Sequence, residues 1–300
     1  MKKIFILSFV LLSFSFVDAQ QINMFSQYMF NQYSINPAVA GTKDYMPIAL
    51  SYRRMWTGID DAPTIQMISG HTSISDEMAV GAKVFSYVAG PNSKTGFEGT
   101  YAYAFGLTET SKLSLGLSLQ LNQYFLDKSK LSFEDMTEPT IATGSEKLIL
   151  PDANFGAYYY DKNYYAGIAV QQLFGRKVTL LNDNLEQRQA RHYFLHGGYI
   201  YDINDDFSVE PSVLLRFIEA GVFQADINAK VEYKKLAYLG FSYRSQDAVV
   251  AMIGINNKAL QFGYAYDFTL SDIRKYSLGT HEIMFTYKIG NKEESKASAE

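Results

Sequence analysis

The sequence predicts an all-β fold, a transmembrane antiparallel β-barrel of about fourteen strands preceded by a non-strand N-terminal segment. Three observations carry this expectation. Many segments alternate apolar residues with polar or small ones. The connections between them sort into a short set and a long set. After the first residues, no stretch approaches the ~18 consecutive apolar residues of a membrane helix.

The clearest segment runs Leu113, Leu115, Leu117, Leu119 and Leu121, with Ser114, Gly116, Ser118 and Gln120 between them. A strand points successive side chains to opposite faces, so this one has a wholly apolar face. A soluble sheet would bury that face, whereas a barrel strand turns it to lipid and its polar face to a lumen. The pattern recurs in Phe97–Phe105, Phe223–Tyr233, Leu260–Phe268 and Ile283–Ile289. It is weaker around Thr64–Thr72 and Ala79–Val88, which are placed by spacing. Each block approaches the ~9–11 residues that a tilted strand needs to cross hydrocarbon.

In chain order, Lys2 and Lys3 precede an apolar run from Ile4 to Val17, then Val17-Asp18-Ala19 before Gln20. This reads as a secretory signal over residues 1–19. Residues 20–46 form the N-terminal segment, 47–290 the barrel and 291–300 a charged periplasmic tail. The chain has no cysteine, which excludes disulfides, thiol nucleophiles and a lipid-modified cysteine after the signal. An exported, cysteine-free chain rich in Tyr, Phe and Gly suits a bacterial envelope. A net charge of −4 argues against nucleic acid as a partner.

The N-terminal segment from Gln27 to Gly41 lacks strand alternation and carries too many aromatics for a solvated tail. It is expected to pack in the lumen or at the periplasmic rim, with Asn36-Pro37 and Gly41 turning the chain into strand one. It reads either as a structural plug or as a docking strip.

The expected strands are 47–55, 63–73, 79–88, 96–106, 112–125, 152–161, 163–172, 190–203, 207–217, 222–234, 236–245, 248–256, 258–268 and 281–290. An even number closes a barrel with both termini in the periplasm. The connections after even-numbered strands are short, as at Asp161-Lys162-Asn163, Asn204-Asp205-Asp206, Lys234-Lys235 and Asn257-Lys258. The long ones, Asp127–Leu150, Leu173–Gln189 and Thr269–Thr280, all fall in the other register. Short turns on one side and long loops on the other is the outer-membrane rule. A soluble β-sandwich pair or a propeller would need no aromatics at strand ends. Here Tyr158–Tyr160, Tyr164, Tyr165, Tyr199, Tyr201, Tyr264 and Tyr266 sit there, as an interfacial girdle would. No internal repeat is visible, which disfavours a propeller.

Catalytic and metal chemistry finds no foothold. The histidines are His71, His192, His196 and His281. His192 and His196 share a strand face about 13 Å apart, too far for two ligands of one zinc. They are expected to be solvated lumen residues. No Gly-x-Ser-x-Gly elbow and no phosphate-binding Gly-rich loop with its lysine occurs. The chain is therefore expected not to be an enzyme and to hold neither metal nor cofactor. Adjacent Arg53 and Arg54 must point one to the lumen and one to lipid. Since charge on the lipid face costs ~2–4 kcal/mol at midplane, they are expected near the outer rim beside Trp56 as interfacial anchor. There they would bind lipopolysaccharide phosphates or loop carboxylates. Glu210, Arg216, Asp226, Lys230 and Glu232, on neighbouring strands, would cross-link the lumen or line a channel.

Phe25-Ser26-Gln27-Tyr28-Met29-Phe30-Asn31, followed by Ile35-Asn36-Pro37-Ala38-Val39-Ala40-Gly41, resembles the N-terminal signature of PorP/SprF-type membrane proteins. Tyr52-Arg53-Arg54-Met55-Trp56-Thr57-Gly58 with Ala62-Pro63 is similar to the family's next block. Tyr266–Asp272 followed by His281-Glu282-Ile283 is similar to its C-terminal region. The resemblance spans the mature chain in order, and departs from the usual pattern in the charged tail Asn291–Glu300. Because such barrels more often end on an aromatic of the final strand, this departure puts the expected insertion signal internally, near Phe285 and Tyr287.

The resemblance implies a non-enzymatic outer-membrane part of the type IX secretion and gliding-motility apparatus of Bacteroidetes. Such a part helps export or hold a large secreted surface protein, an adhesin, through that protein's C-terminal domain, and contacts periplasmic components. It also touches outer-membrane lipid and lipopolysaccharide. The candidate partner-binding residues are Gln27, Tyr28, Phe30, Asn31, Asn36, Pro37, Arg53, Arg54 and Trp56. The competing class is a passive channel for small or hydrophobic solutes with the N-terminal segment as plug. Periodicity alone cannot separate the two, because both need the same barrel.

Overall fold

The computed structural model describes residues 24–131, 144–180, 187–219 and 221–290. The expected signal, the charged tail and the centres of two outer loops lie outside them. Fourteen antiparallel strands close into a barrel. They are β1 (Met46–Arg54), β2 (Thr64–Ser73), β3 (Met78–Ala89), β4 (Asn92–Gly106), β5 (Lys112–Asp127), β6 (Ser145–Tyr160) and β7 (Tyr164–Gln171). Then follow β8 (His192–Tyr199, resumed at Tyr201–Asp202), β9 (Phe207–Ile218) and β10 (Phe223–Tyr233). The last are β11 (Ala237–Arg244), β12 (Ala248–Asn256), β13 (Leu260–Thr269) and β14 (Thr280–Ile289).

Closure is direct: β1 pairs with β14 from Met46↔Ile289 to Arg54↔His281. Every strand thus has a neighbour on both sides over at least part of its length, so the sheet closes on itself where a membrane would not tolerate an edge. Alternation decides the faces. On β5, Leu117, Leu119 and Leu121 are exposed on the outer surface while Ser118 and Asn122 are fully buried inside. Phe97 and Tyr101 of β4, Ile227 and Val231 of β10, and Ile283, Phe285 and Tyr287 of β14 extend this apolar belt.

The connections sort as the sequence indicates. Tight turns follow the even-numbered strands at the end where β1 begins. One closes through Lys234 and Lys235, both at positive φ (49° and 55°), with the Leu236 N–H donating to the Tyr233 carbonyl at 2.9 Å. Positive φ at both central residues is the type I′ geometry that matches strand twist.

Two expectations are corrected. β6 starts at Ser145, not near residue 152, so part of the segment expected as loop is ladder, paired with β5 from Asp127↔Ser145 downward. Glu146, Lys147 and Pro151 mask the alternation there, yet backbone pairing with a long β5 does not depend on side-chain polarity. The tyrosine girdle is also only partly a girdle. Tyr164, Tyr199 and Tyr201 face outward, but Tyr158 is buried inside, stacked with Tyr160 (5.5 Å between ring centres) and His196 (5.6 Å).

Candidate functional site

The lumen is occupied by the chain's own N-terminal segment. From Met24 it descends from the outer half of the barrel to Gly41 at the periplasmic rim, where it enters β1. Phe25, Tyr28, Met29, Tyr33, Ile35, Ala38, Val39 and Ala40 are all buried there. Short 3-10 turns at Gln32–Ser34 and Pro37–Val39 fold it back on itself. Such turns satisfy part of its backbone without a strand partner.

Its lower end is held by fit. Asn36, fully buried, caps the Pro37–Val39 turn by accepting from the Ala38 N–H at 3.0 Å. Its Nδ2 donates to the Ala157 carbonyl at 3.1 Å and meets His196 Nε2 at 3.1 Å. Proline at the first position of the turn needs no donor partner. The wall opposite is cut back to receive this turn. A Cβ on Gly116 would run into the backbone of Pro37 and Ala38, and one on Gly156 into the Asn36 amide oxygen. Tyr33 reaches the wall by a 2.6 Å hydrogen bond to Thr100, and the Gly41 N–H donates to His71 Nδ1 at 3.1 Å.

Its upper end is held by charge. The N–H groups of Ser26 and Gln27 donate to the Glu282 carboxylate at 2.6 and 2.9 Å, and the Ser26 hydroxyl donates to Asp267 at 2.8 Å. Arg53 bridges both carboxylates, 2.7 Å from Asp267 and 2.9 Å from Glu282, and also donates to the Ser26 hydroxyl. Arg244 extends the cluster to Asp226 (3.1 Å) and Asp267 (3.5 Å). Charges this deeply buried persist only when paired with opposite charges and hydrogen-bonded. On the opposite wall Lys83 pairs with Glu98 at 3.1 Å and donates to the Ser34 carbonyl at 3.2 Å.

Above the segment, the lumen opens outward as a vestibule of about 820 Å³. Trp56, Tyr87, Tyr124, Phe223 and Asp247 are among its lining residues. Its floor passes Ile65, Phe85, Lys94 and Gln172 into a smaller space beside Met24 and Phe25.

The candidate residues therefore divide. Gln27, Tyr28, Asn36 and Pro37 are buried in the lumen, and Phe30 and Asn31 are half-buried beside them. Tyr28 accepts a 2.6 Å hydrogen bond from Asn228, Asn31 donates to Ser69 at 3.0 Å, and the Phe30 ring lies 4.2 Å from that of Tyr238. Arg53 is corrected from a rim charge to a lumen charge that grips the segment. Arg54 keeps the outer face at the strand end, and Trp56 lines the vestibule where an interfacial anchor was expected.

The histidines are corrected too: His192 and His196 do share a face, but they are buried rather than solvated. The charged set on β9 and β10 cross-links the wall, with Lys230 2.6 Å from Glu210 and 3.6 Å from Glu232. Sequence reasoning passed over Ser26, Asp267, Glu282 and Arg244. Asp267, Glu282 and Arg244 are signalled by polarity on the inward phase of strands whose other face is greasy, and Ser26, Asp267 and Glu282 also by the family-like blocks in which they sit.

The comparisons with known proteins agree with this architecture. The toluene transporter TbuX of Ralstonia pickettii superposes with a TM-score of 0.51 at 11% identity, covering 85% of this chain and 92% of its own. A FadL homologue of Pseudomonas aeruginosa gives a TM-score of 0.47 at 11% identity, covering 84% and 92%. At 11% identity the likeness to TbuX shows the fold alone. No curated protein sequence matches significantly. A family profile described as "Type IX secretion system membrane protein PorP/SprF" matches residues 17–287.

Proposed function

The chain belongs to the PorP/SprF family of type IX secretion system membrane proteins, and from that premise we propose that it holds a large secreted surface protein at the outer membrane. Its residence there follows from the family and the closed strand barrel. In this reading it catalyses no reaction. It helps export or retain an adhesin through that protein's C-terminal domain, and contacts motility or secretion components on the periplasmic side.

The observation that carries the reading is the occupied lumen. A permanently open pore needs a continuous water path, whereas here Ser26–Gly41 occupies the lumen and is bonded to β1, β2, β3, β13 and β14. The remaining concavity faces outward, where a secreted protein would be met. The channel alternative draws on the narrow space beside Met24 and Phe25 below the vestibule floor, which a shift of those residues would extend.

The test is purification of the native protein with its neighbours, paired with deletion. The expected result is recovery of a large secreted surface protein and loss of that protein from the surface of deletion cells. Recovery of lipid alone, with solute uptake impaired in deletion cells, would favour the channel.

A further inference from the structure

Among the described residues, one stretch of β6 has no partner strand on its β7 side. β6 has sixteen residues and β7 eight, and they pair only over Phe155–Tyr160. Beyond β7 the chain leaves the wall at Gln172 (φ 61°). There the Leu173 N–H donates to the Ala153 carbonyl at 3.0 Å and the Phe174 N–H to the Asp152 carboxylate at 3.0 Å. From Ser145 to Pro151, β6 is paired on its β5 side alone among the described residues.

Strand alternation sets which groups face the open side. The Ala153 carbonyl points that way, so Pro151, Ile149, Lys147 and Ser145 do too, while Glu146, Leu148 and Leu150 bond to β5. The edge therefore presents the N–H and C=O of three residues and the carbonyl of Pro151. Proline fits there because its missing N–H would have faced no partner. The stretch also stands above the apolar belt: Pro151 pairs with Leu121, the last leucine of the β5 row, and Ile149 with Gln123.

A groove bounded by Leu150 runs beside this edge, and its other lining residues include Arg176, Lys177 and Arg188. Exposed Arg176 and Arg188 make this groove a basic strip on a chain of net charge −4. Edges left unpaired by a barrel are templates for another strand, and a basic rim selects an acidic one.

We infer that the outer edge of β6, from Ser145 to Pro151, is a strand-addition site for an extended acidic segment of the secreted polypeptide. The incoming backbone extends the β5–β6 hairpin sideways, and Arg176 and Arg188 meet its carboxylates. This inference rests on the holder function proposed above and names how the partner is gripped.

The test uses the full-length protein purified from cells with its co-purifying surface polypeptide. Ile149→Pro removes an N–H that points to the open side and leaves the β5 ladder intact, as Pro151 already does in the same register. Ile149→Val keeps the N–H, and Arg176→Glu with Arg188→Glu reverses the strip. Each variant is first checked for a folded barrel by heat-modifiable migration.

The surface polypeptide recovered per barrel is expected to fall about tenfold with Ile149→Pro and with the double reversal, and to hold with Ile149→Val. Amides of Lys147 and Ile149 are expected to exchange more slowly in the complex than in the free barrel. Equal recovery from folded Ile149→Pro overturns the edge site but leaves the holder function standing. Failure of the wild type to bring down any surface polypeptide removes the holder function itself. If the double reversal changes only lipopolysaccharide recovery, the basic strip serves lipid and the inference is wrong. If Ile149→Pro does not fold, the Arg176→Glu, Arg188→Glu pair and the exchange measurement decide.

Discussion

The two ends of the luminal segment are held by different physics. At Ile35–Gly41 the hold is shape: a capped proline turn seated against Gly116 and Gly156, with one amide shared between Ala157 and His196. At Ser26 and Gln27 the hold is charge: Glu282 and Asp267 accept from the segment while Arg53 and Arg244 neutralise them. A packed turn resists small displacements and gives way only by unfolding locally. A charged clasp breaks when one partner is lost, and leaves the other charges stranded. If the segment moves during function, its outer end is therefore the end built to let go, and the Asn36-Pro37 turn is the pivot.

Four substitutions break or sharpen this contrast, and a single cysteine at Met29, in a chain that has none of its own, reports on the outer end of the segment. The largest effect is expected from Arg53→Ala, which strands Asp267 and Glu282 at a cost of about 3–5 kcal/mol. Alkylation of the Met29→Cys thiol should then accelerate roughly a hundredfold or more. Gly116→Val, which drives a side chain into Pro37 and Ala38, should cost up to about 3 kcal/mol, seen as a lower denaturant midpoint for the refolded barrel. Asn36→Ala removes the cap and the wall bonds for about 1–2 kcal/mol, with increased protease access near Gly41 and little change at residue 29. Arg54→Ala is the control. Its neighbour's charge is buried and its own is on the outer surface, so stability should stay within about 0.5 kcal/mol. Equal effects at Arg53 and Arg54 would mean that the clasp carries no energy.

The barrel was legible because its signal is periodic. Leu113–Leu121 announces its lipid face through a period of two, and the sorting of connections reinforces the strand count. The upper half of β6 was not, because Glu146, Lys147 and Pro151 stand above the lipid, where nothing requires an apolar face. Placement of the N-terminal segment was legible in outline from its aromatics, but its grip was not. Ser26 meets Glu282 across 256 positions of sequence, and no local pattern records such a pairing. Tyr158 misled for a related reason: a tyrosine near a strand end serves equally as a membrane-interface residue or as packing for an internal segment. Only the inward phase it shares with the buried wall residues separates the two.

With Ser26–Gly41 bonded inside it, the lumen is expected to be closed at rest. Single-barrel recording of the purified full-length protein in planar bilayers tests this most directly. The wild type is expected to show no steady conductance, and Arg53→Ala, which frees the outer end of the segment, to show frequent openings. A wild-type barrel that conducts steadily, with Arg53→Ala no different, would contradict it and return the protein to the class of passive channels.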